Sequence, residues 1–301
     1  MNSRLSTTLT LLLILVHTTF IVAQSERLSS TVAKGAMPVL MSSDFLFTEG
    51  PAADADGNVY FTDQPNDKIM KWSTDGTITV FMEGAGRSNG LFFDKAGNLL
   101  ACADLNNQLW MIDKSKKVTV LVHDFGGKKL NGPNDLWVDP EGGIYFTDPF
   151  YKRDYWTRTE KEIEEENVYY LSPEKKLTVA ATGLLQPNGI TGTTDGKKLY
   201  VADIKGRKTY SYSINDDGTL TNKQLFADMG SDGMTIDSKG NVYLTGPGVT
   251  VFNSQGQKIE TIEIDAPWTA NVCFGGKDRK LLFVTASTSV FTVKMNVKGA
   301  Y

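Results

Sequence analysis

The ten residues DPEGGIYFTD (139–148) join a turn to a strand, and their recurrence decides how the whole chain is read. Asp139 to Gly143 is turn chemistry, because Asp and Gly tolerate the backbone conformations that tight reversals require. Ile144-Tyr145-Phe146-Thr147 is β-branched and aromatic, the composition of a buried strand. The same word returns as DADGNVYFTD (54–63), DKAGNLLACAD (94–104), TDGKKLYVAD (194–203) and DSKGNVYLTG (237–246), with a degenerate sixth copy, GGKDRKLLFVTA (275–286). Other strand-like words, among them KIMKWS, QLWMID, NVYYLSP and KTYSYSI, fill the intervals.

Aligning the turns places Gly57, Gly97, Gly142, Gly196, Gly240 and Arg279 in one column, at spacings from about forty residues to the mid-fifties. That is the period of a four-stranded propeller blade, about 40–50 residues. The sequence therefore predicts an all-β fold, a single six-bladed β-propeller over residues 45–301, preceded by a lead-in segment at 24–44. An irregular sandwich would not repeat six times in register. The widest interval holds DPFYKRDYWTRTEKEIEEEN (148–167). Its charge run reads as a solvated loop, whereas its aromatic start (Phe150, Tyr151, Tyr155, Trp156) reads as a lid over one face, long loops in compact domains tending to be functional.

Eight residues before each aligned turn position stand Glu49, Asn89, Asn134, Asn188, Asp232 and Asn271, in the words TEGPA, RSNGL, GPNDL, QPNGI, GSDGM and TANVC. All six carry side-chain oxygens and precede the strand that would line the propeller axis, so they form a ring around it. Buried carboxylates without partners are costly. A hard divalent cation removes that cost: Ca²⁺ takes six to eight oxygens from carboxylates, amide carbonyls and water. The plainer alternative is that these residues only hydrogen-bond their turns, which suits Asn89 or Asn271 but gives no reason for a Glu and an Asp in the same register. Arg87 and Asp135 flank the ring as candidate substrate contacts, with structural contacts to a neighbouring blade as the alternative.

Composition narrows the function classes. The chain has 301 residues, 41% hydrophobic, with a formal net charge of −4. That gives no basic footprint for nucleic acid and no polybasic membrane patch. Residues 1–23 read as a cleaved secretory signal, with Arg4 before an apolar core and Ile21-Val22-Ala23 before the cut. The alternative, a membrane anchor, is opposed by His17-Thr18-Thr19, which break the run short of the ~20 residues a span needs. The expected protein is exported, to a periplasm or beyond the cell, with no membrane attachment after cleavage. Cys102 and Cys273 could pair after export, but both fall in apolar strand patterns that suit buried free thiols. Beyond the leader the single histidine is His123, outside the ring, so a Ser-His-Asp or Cys-His centre is not expected.

The words EGP, PND followed by GGIYFTD, PNGI, SDGM and the tail NVCFGGKDRKLLFVTASTSVF, in this order, resemble the gluconolactonase, regucalcin and luciferin-regenerating enzyme family, from about Phe45 onward. The resemblance implies a six-bladed propeller with an axial divalent metal, usually Ca²⁺, that hydrolyses sugar or related lactones. It implies metal ligation by Glu49, Asn188 and Asp232, with Asn134 on metal or substrate. In the regucalcin branch a substrate-contacting Arg lies two residues before that Asn; this chain has Gly132 there. With Asp232 as general base, Asn89, Asn134, Asn271, Arg87 and Asp135 are the substrate-binding candidates, and the partner is a small-molecule lactone. The oligomeric state is not legible. The competing expectations are a non-enzymatic extracellular binding propeller, since YFTD is similar to the YWTD word of receptor propellers, and hydrolysis of another ester or an organophosphate at the same metal.

Overall fold

The structure, a computed structural model, describes residues 31–301. The expected signal at 1–23 and the first part of the expected lead-in lie outside these residues. No described helix is long and apolar enough to cross a membrane. The described chain forms six antiparallel sheets of four strands each. The innermost strands are Thr48–Ala53, Ser88–Phe93, Leu136–Val138, Pro187–Gly192, Met234–Ile236 and Asn271–Gly275. Each packs against the next, and the last packs against the first, so the sheets close into a six-bladed β-propeller.

The repeated turn explains the blades locally. In the first, Asp54 Oδ1 accepts the N–H groups of Asp56 at 3.0 Å and Asn58 at 2.9 Å, while Asn58 Nδ2 donates to Asp54 Oδ2 at 2.8 Å. Asp94 with Asn98, and Asp237 with Asn241, repeat this lock. All six aligned turn positions have positive φ, from 58° at Arg279 to 92° at Gly142. The alignment made from words is thus an alignment of backbone conformation, with Arg279 accepting a geometry that glycine adopts at lower cost.

The core lies between blades rather than at the centre. Six apolar clusters fill the six interfaces, for example Tyr243, Phe274 and Val284 between blades five and six, and Phe61, Trp72 and Phe283 between six and one. Cys102 and Cys273 are both free. The blade-six sheet takes its outer strand from the other end of the chain: Val39–Ser42 pairs antiparallel with Ser289–Lys294. Part of the segment read as a lead-in therefore belongs to the propeller.

Candidate active site

The ring residues sit at or just before the start of the inner strands, where the ladder is irregular. Register shifts fall between Glu49 and Ala52, between Ser88 and Leu91, and between Pro187 and Ile190. Such bulges re-aim side chains, here toward the axis. Backbones crowd there. A Cβ at Gly90 would stand 2.6 Å from the Asn134 carbonyl oxygen and 2.5 Å from Asp135 Oδ1, so the residue after Asn89 has to be glycine. The threonine of the repeated word tethers one blade to the next: Thr62 Oγ1 donates to the Asn89 carbonyl at 3.2 Å, and Thr147 Oγ1 to that of Asn188 at 2.8 Å.

Glu49, Asn89, Asn134, Asn188 and Asp232 converge on one cavity of about 260 Å³ at the mouth of the axis. Asn188 Nδ2 donates to Asp232 Oδ1 at 2.9 Å and to the Tyr151 hydroxyl at 2.8 Å. Trp268 Nε1 donates to Asp232 Oδ2 at 2.6 Å. Glu49 Oε2 accepts the Gly50 N–H at 2.9 Å. Asn89 Oδ1 is buried with no hydrogen-bond partner among the described residues. Burial holds the Glu49 carboxyl well above its usual range, with the nearby Asp232 adding to the effect. Asp232 is itself pushed up to about 6 by burial, against the hydrogen bonds from Trp268 and Asn188.

Asn271 and Asp135 lie on the inner side of the ring, where Asn271 hydrogen-bonds Glu49. They line a smaller space of about 80 Å³ further down the axis, where Tyr301 also sits, its hydroxyl accepting a hydrogen bond from Trp137 Nε1 at 2.7 Å. Asn271 Nδ2 lies 3.5 Å from Asp135 Oδ2, and burial pushes Asp135 up to about 7. Arg87 does not line the cavity: its Nη1 donates to the Pro65 carbonyl at 2.8 Å and its guanidinium lies 4.5 Å over the Tyr155 ring.

The long loop of blade three packs over the mouth. Tyr151 and Arg153 line the cavity with the ring residues. Arg153 Nε and the Tyr155 hydroxyl both donate to Asp104 Oδ2, at 2.8 and 2.5 Å, and Trp156 Nε1 donates to the Asp104 carbonyl at 2.8 Å. Of the two sequence readings of this loop, the lid is the one that the contacts support. A Cβ at Gly132 would meet Asp104 Oδ1 at 2.8 Å and the Trp156 ring at 3.0 Å, so the lid fills the space where other side chains could stand. Sequence reasoning missed Asp104, Arg153 and Trp268. One signal was present: DKAGNLLACAD has eleven residues where its counterparts have ten, which places its aspartate one step late.

The donor set fits a hard divalent cation. It offers two buried carboxylates, amide oxygens including the unpartnered Asn89 Oδ1, and no imidazole or thiolate. Among the described residues no cluster of three or more His, Cys, Asp or Glu side chains is arranged for a metal, so any cation here relies on the asparagines.

A closed propeller with an acidic, amide-lined cavity on its axis and a loop over the mouth defines an axial-site propeller. Residues 47–288 match the family model described as "SMP-30/Gluconolactonase/LRE-like region". The chain belongs to that family. It is 29% identical over 307 aligned positions to a gluconolactonase of Zymomonas mobilis, spanning 91% of this chain and 86% of that one. It is 23% identical to the regucalcin of Oryctolagus cuniculus, over 78% of this chain and 80% of that one. A solved gluconolactonase structure from Xanthomonas campestris superposes with a TM-score of 0.82 at 26% identity, covering 88% of this chain and 91% of that chain.

Proposed function

We propose that this lactone hydrolase opens a sugar-derived lactone at the axial cavity, with a divalent cation, Ca²⁺ by the chemistry of the donors, held by Glu49, Asn134, Asn188 and Asp232. The observation that carries the reading is the convergence of two buried carboxylates and three asparagine side chains on one cavity, with Asn89 Oδ1 left unpartnered. The gluconolactonase and regucalcin relatives support the same reading.

When bound, the cation would polarise the ester carbonyl as a Lewis acid. The rest falls to the chain's own side chains. Asp232 is held at both oxygens, by Trp268 at 2.6 Å and Asn188 at 2.9 Å, so its carboxylate has one orientation toward the cavity. In the proposed step Asp232 accepts a proton from the attacking water as its oxygen bonds to the carbonyl carbon. Collapse of the tetrahedral adduct breaks the ring C–O bond, and the proton is returned to the departing alkoxide. Asn89 and Asn134 can donate amide hydrogens to the developing oxyanion or to ring hydroxyls. The lid limits water around the reacting ester.

The test is acid release from glucono-1,5-lactone in a pH-stat, corrected for spontaneous hydrolysis, before and after chelation and with Ca²⁺ restored. Turnover lost on chelation and recovered with calcium supports the proposal. Turnover indifferent to chelation removes the cation from it. No turnover above background removes this lactone.

A further inference from the structure

Blade two departs from the repeat at one residue. In blades one, three and four the strand after the turn ends in Asp63, Asp148 or Asp203, and each carboxylate accepts backbone N–H groups of the loop entering its own blade. Asp63 takes those of Leu46 and Phe47, Asp148 those of Asn131 and Gly132, and Asp203 those of Leu185 and Gln186. In blade two the corresponding position is Ala103, which pairs with Ser88 as Asp63 pairs with Thr48. The carboxylate comes next, at Asp104. One residue further along an extended chain, a side chain leaves on the opposite side. Asp104 makes none of the loop bonds of its counterparts; Asp67 takes the Arg87 N–H instead, at 2.5 Å. Only 2% exposed, Asp104 faces the lid.

What it holds there is specific. The Asp104 carboxylate takes Arg153 through Nε, the inner nitrogen of the guanidinium, at 2.8 Å. The two terminal amino groups of Arg153 make no hydrogen bond among the described residues, although the side chain lines the cavity. Tyr151 lies beneath the guanidinium, 5.2 Å from ring centroid to carbon, and its hydroxyl accepts from Asn188 of the ring. The guanidinium is therefore fixed on one edge and open on the other. Its charge is already met by Asp104, so the open edge calls for neutral oxygen acceptors rather than an anion.

Resting on the lactonase reading above, we infer that Arg153 is the specificity-determining residue for a polyhydroxy lactone, its terminal amino groups donating to ring hydroxyls, and that Asp104 is the positioning residue that aims it. Lysine cannot replace it, because a single ammonium group cannot hold Asp104 through one nitrogen and offer a planar pair of donors from two others.

The inference is tested by calorimetric titration of the full chain, at saturating calcium, with 1,5-anhydro-D-glucitol, a non-hydrolysable ring that keeps the hydroxyls of a hexose δ-lactone. Wild type should bind it; Arg153→Met and Arg153→Lys should bind it about 10- to 100-fold more weakly, the range of charge-assisted hydrogen bonds. Equal affinity in all three proteins, or no binding by wild type, overturns the inference. Asp104→Asn should weaken the same ligand by a smaller factor and, in turnover, raise KM for glucono-1,5-lactone more than it lowers kcat. A kcat loss at constant KM overturns the positioning role. Comparison of glucono-1,5-lactone with δ-valerolactone, the same ring without hydroxyls, guards against a merely structural effect: Arg153→Met should reduce kcat/KM for the first and spare the second, and equal losses on both overturn the inference. Failure of the lactonase reading looks different, since wild type would then bind the anhydroglucitol without hydrolysing either lactone.

Discussion

The axial ring and the lid that covers it meet in one cavity yet are built in opposite ways. The ring draws one residue from each of several blades, placed by a repeated register, tied blade to blade by Thr62 and Thr147, and packed so closely that Gly90 has no room for a Cβ. The lid is a single insertion, residues 149–166, with no counterpart in the other blades; its Arg153, Tyr155 and Trp156 all anchor on one residue, Asp104. On the proposed reading the difference gives chemistry to the ring, where one register is repeated from blade to blade, and selection to the lid, whose contacts are its own and are repeated nowhere else.

That division can be broken experimentally, and the largest effect should come from the ring. Asp232→Asn keeps the shape and one oxygen but removes the basic group, so a folded protein with kcat reduced about 10²- to 10⁴-fold is expected in steady-state assays. Wild-type-like turnover would take Asp232 out of the chemistry. Calcium itself should stabilise the fold, by about 2.7 kcal/mol when present at about 100 times its dissociation constant. Denaturant melts with and without chelator would show this; coincident melts would mean that the ring holds no calcium. Gly90→Ala should cost about 1–3 kcal/mol in the same melts, because its Cβ would overlap Asn134 and Asp135 across a blade boundary. An unchanged midpoint would show the axis to be more yielding than the distances imply. The smallest effect is sought in the lid. Tyr155→Phe deletes the hydroxyl on Asp104 and should loosen the lid by about 1.5 kcal/mol, read as roughly tenfold faster amide exchange confined to residues 149–166. Faster exchange spread over all six blades would erase the distinction between frame and lid.

The legibility of the sequence follows the same line. The propeller could be read because each blade repeats a turn whose left-handed position is glycine or, once, Arg279, and repetition turns a weak local signal into a strong one. Most of the ring could be read for the same reason. Spacing reports register, however, and not depth along the axis. Asn271 fits the offset as well as Asn188 does, yet with Asp135, also read as a substrate contact, it lines the space further down the axis. Arg87 was legible as a neighbour of the ring, but its left-handed backbone and its contact with Tyr155 direct it to the lid instead. Trp268 and Arg153 come from non-repeating loops, where no second copy shows which residue matters. Asp104 was visible only as a displacement within the repeat, a cue that carries meaning once strand pairing shows Ala103 standing in its place.

The strand Val39–Ser42, laid against Ser289–Lys294, joins stretches separated by nearly the whole described chain. A polypeptide leaving the ribosome can finish its first five blades in sequence, but the sixth must wait until its last strand is made and an early segment returns to meet it. During that wait the apolar faces of blades five and one that later pack against blade six stay uncovered, the kind of surface on which chains associate wrongly. Contacts this distant in sequence also form slowly. The circle behaves as a clasp whose two halves are the first and last of the described strands, and its fastening should set the pace at which a working enzyme appears.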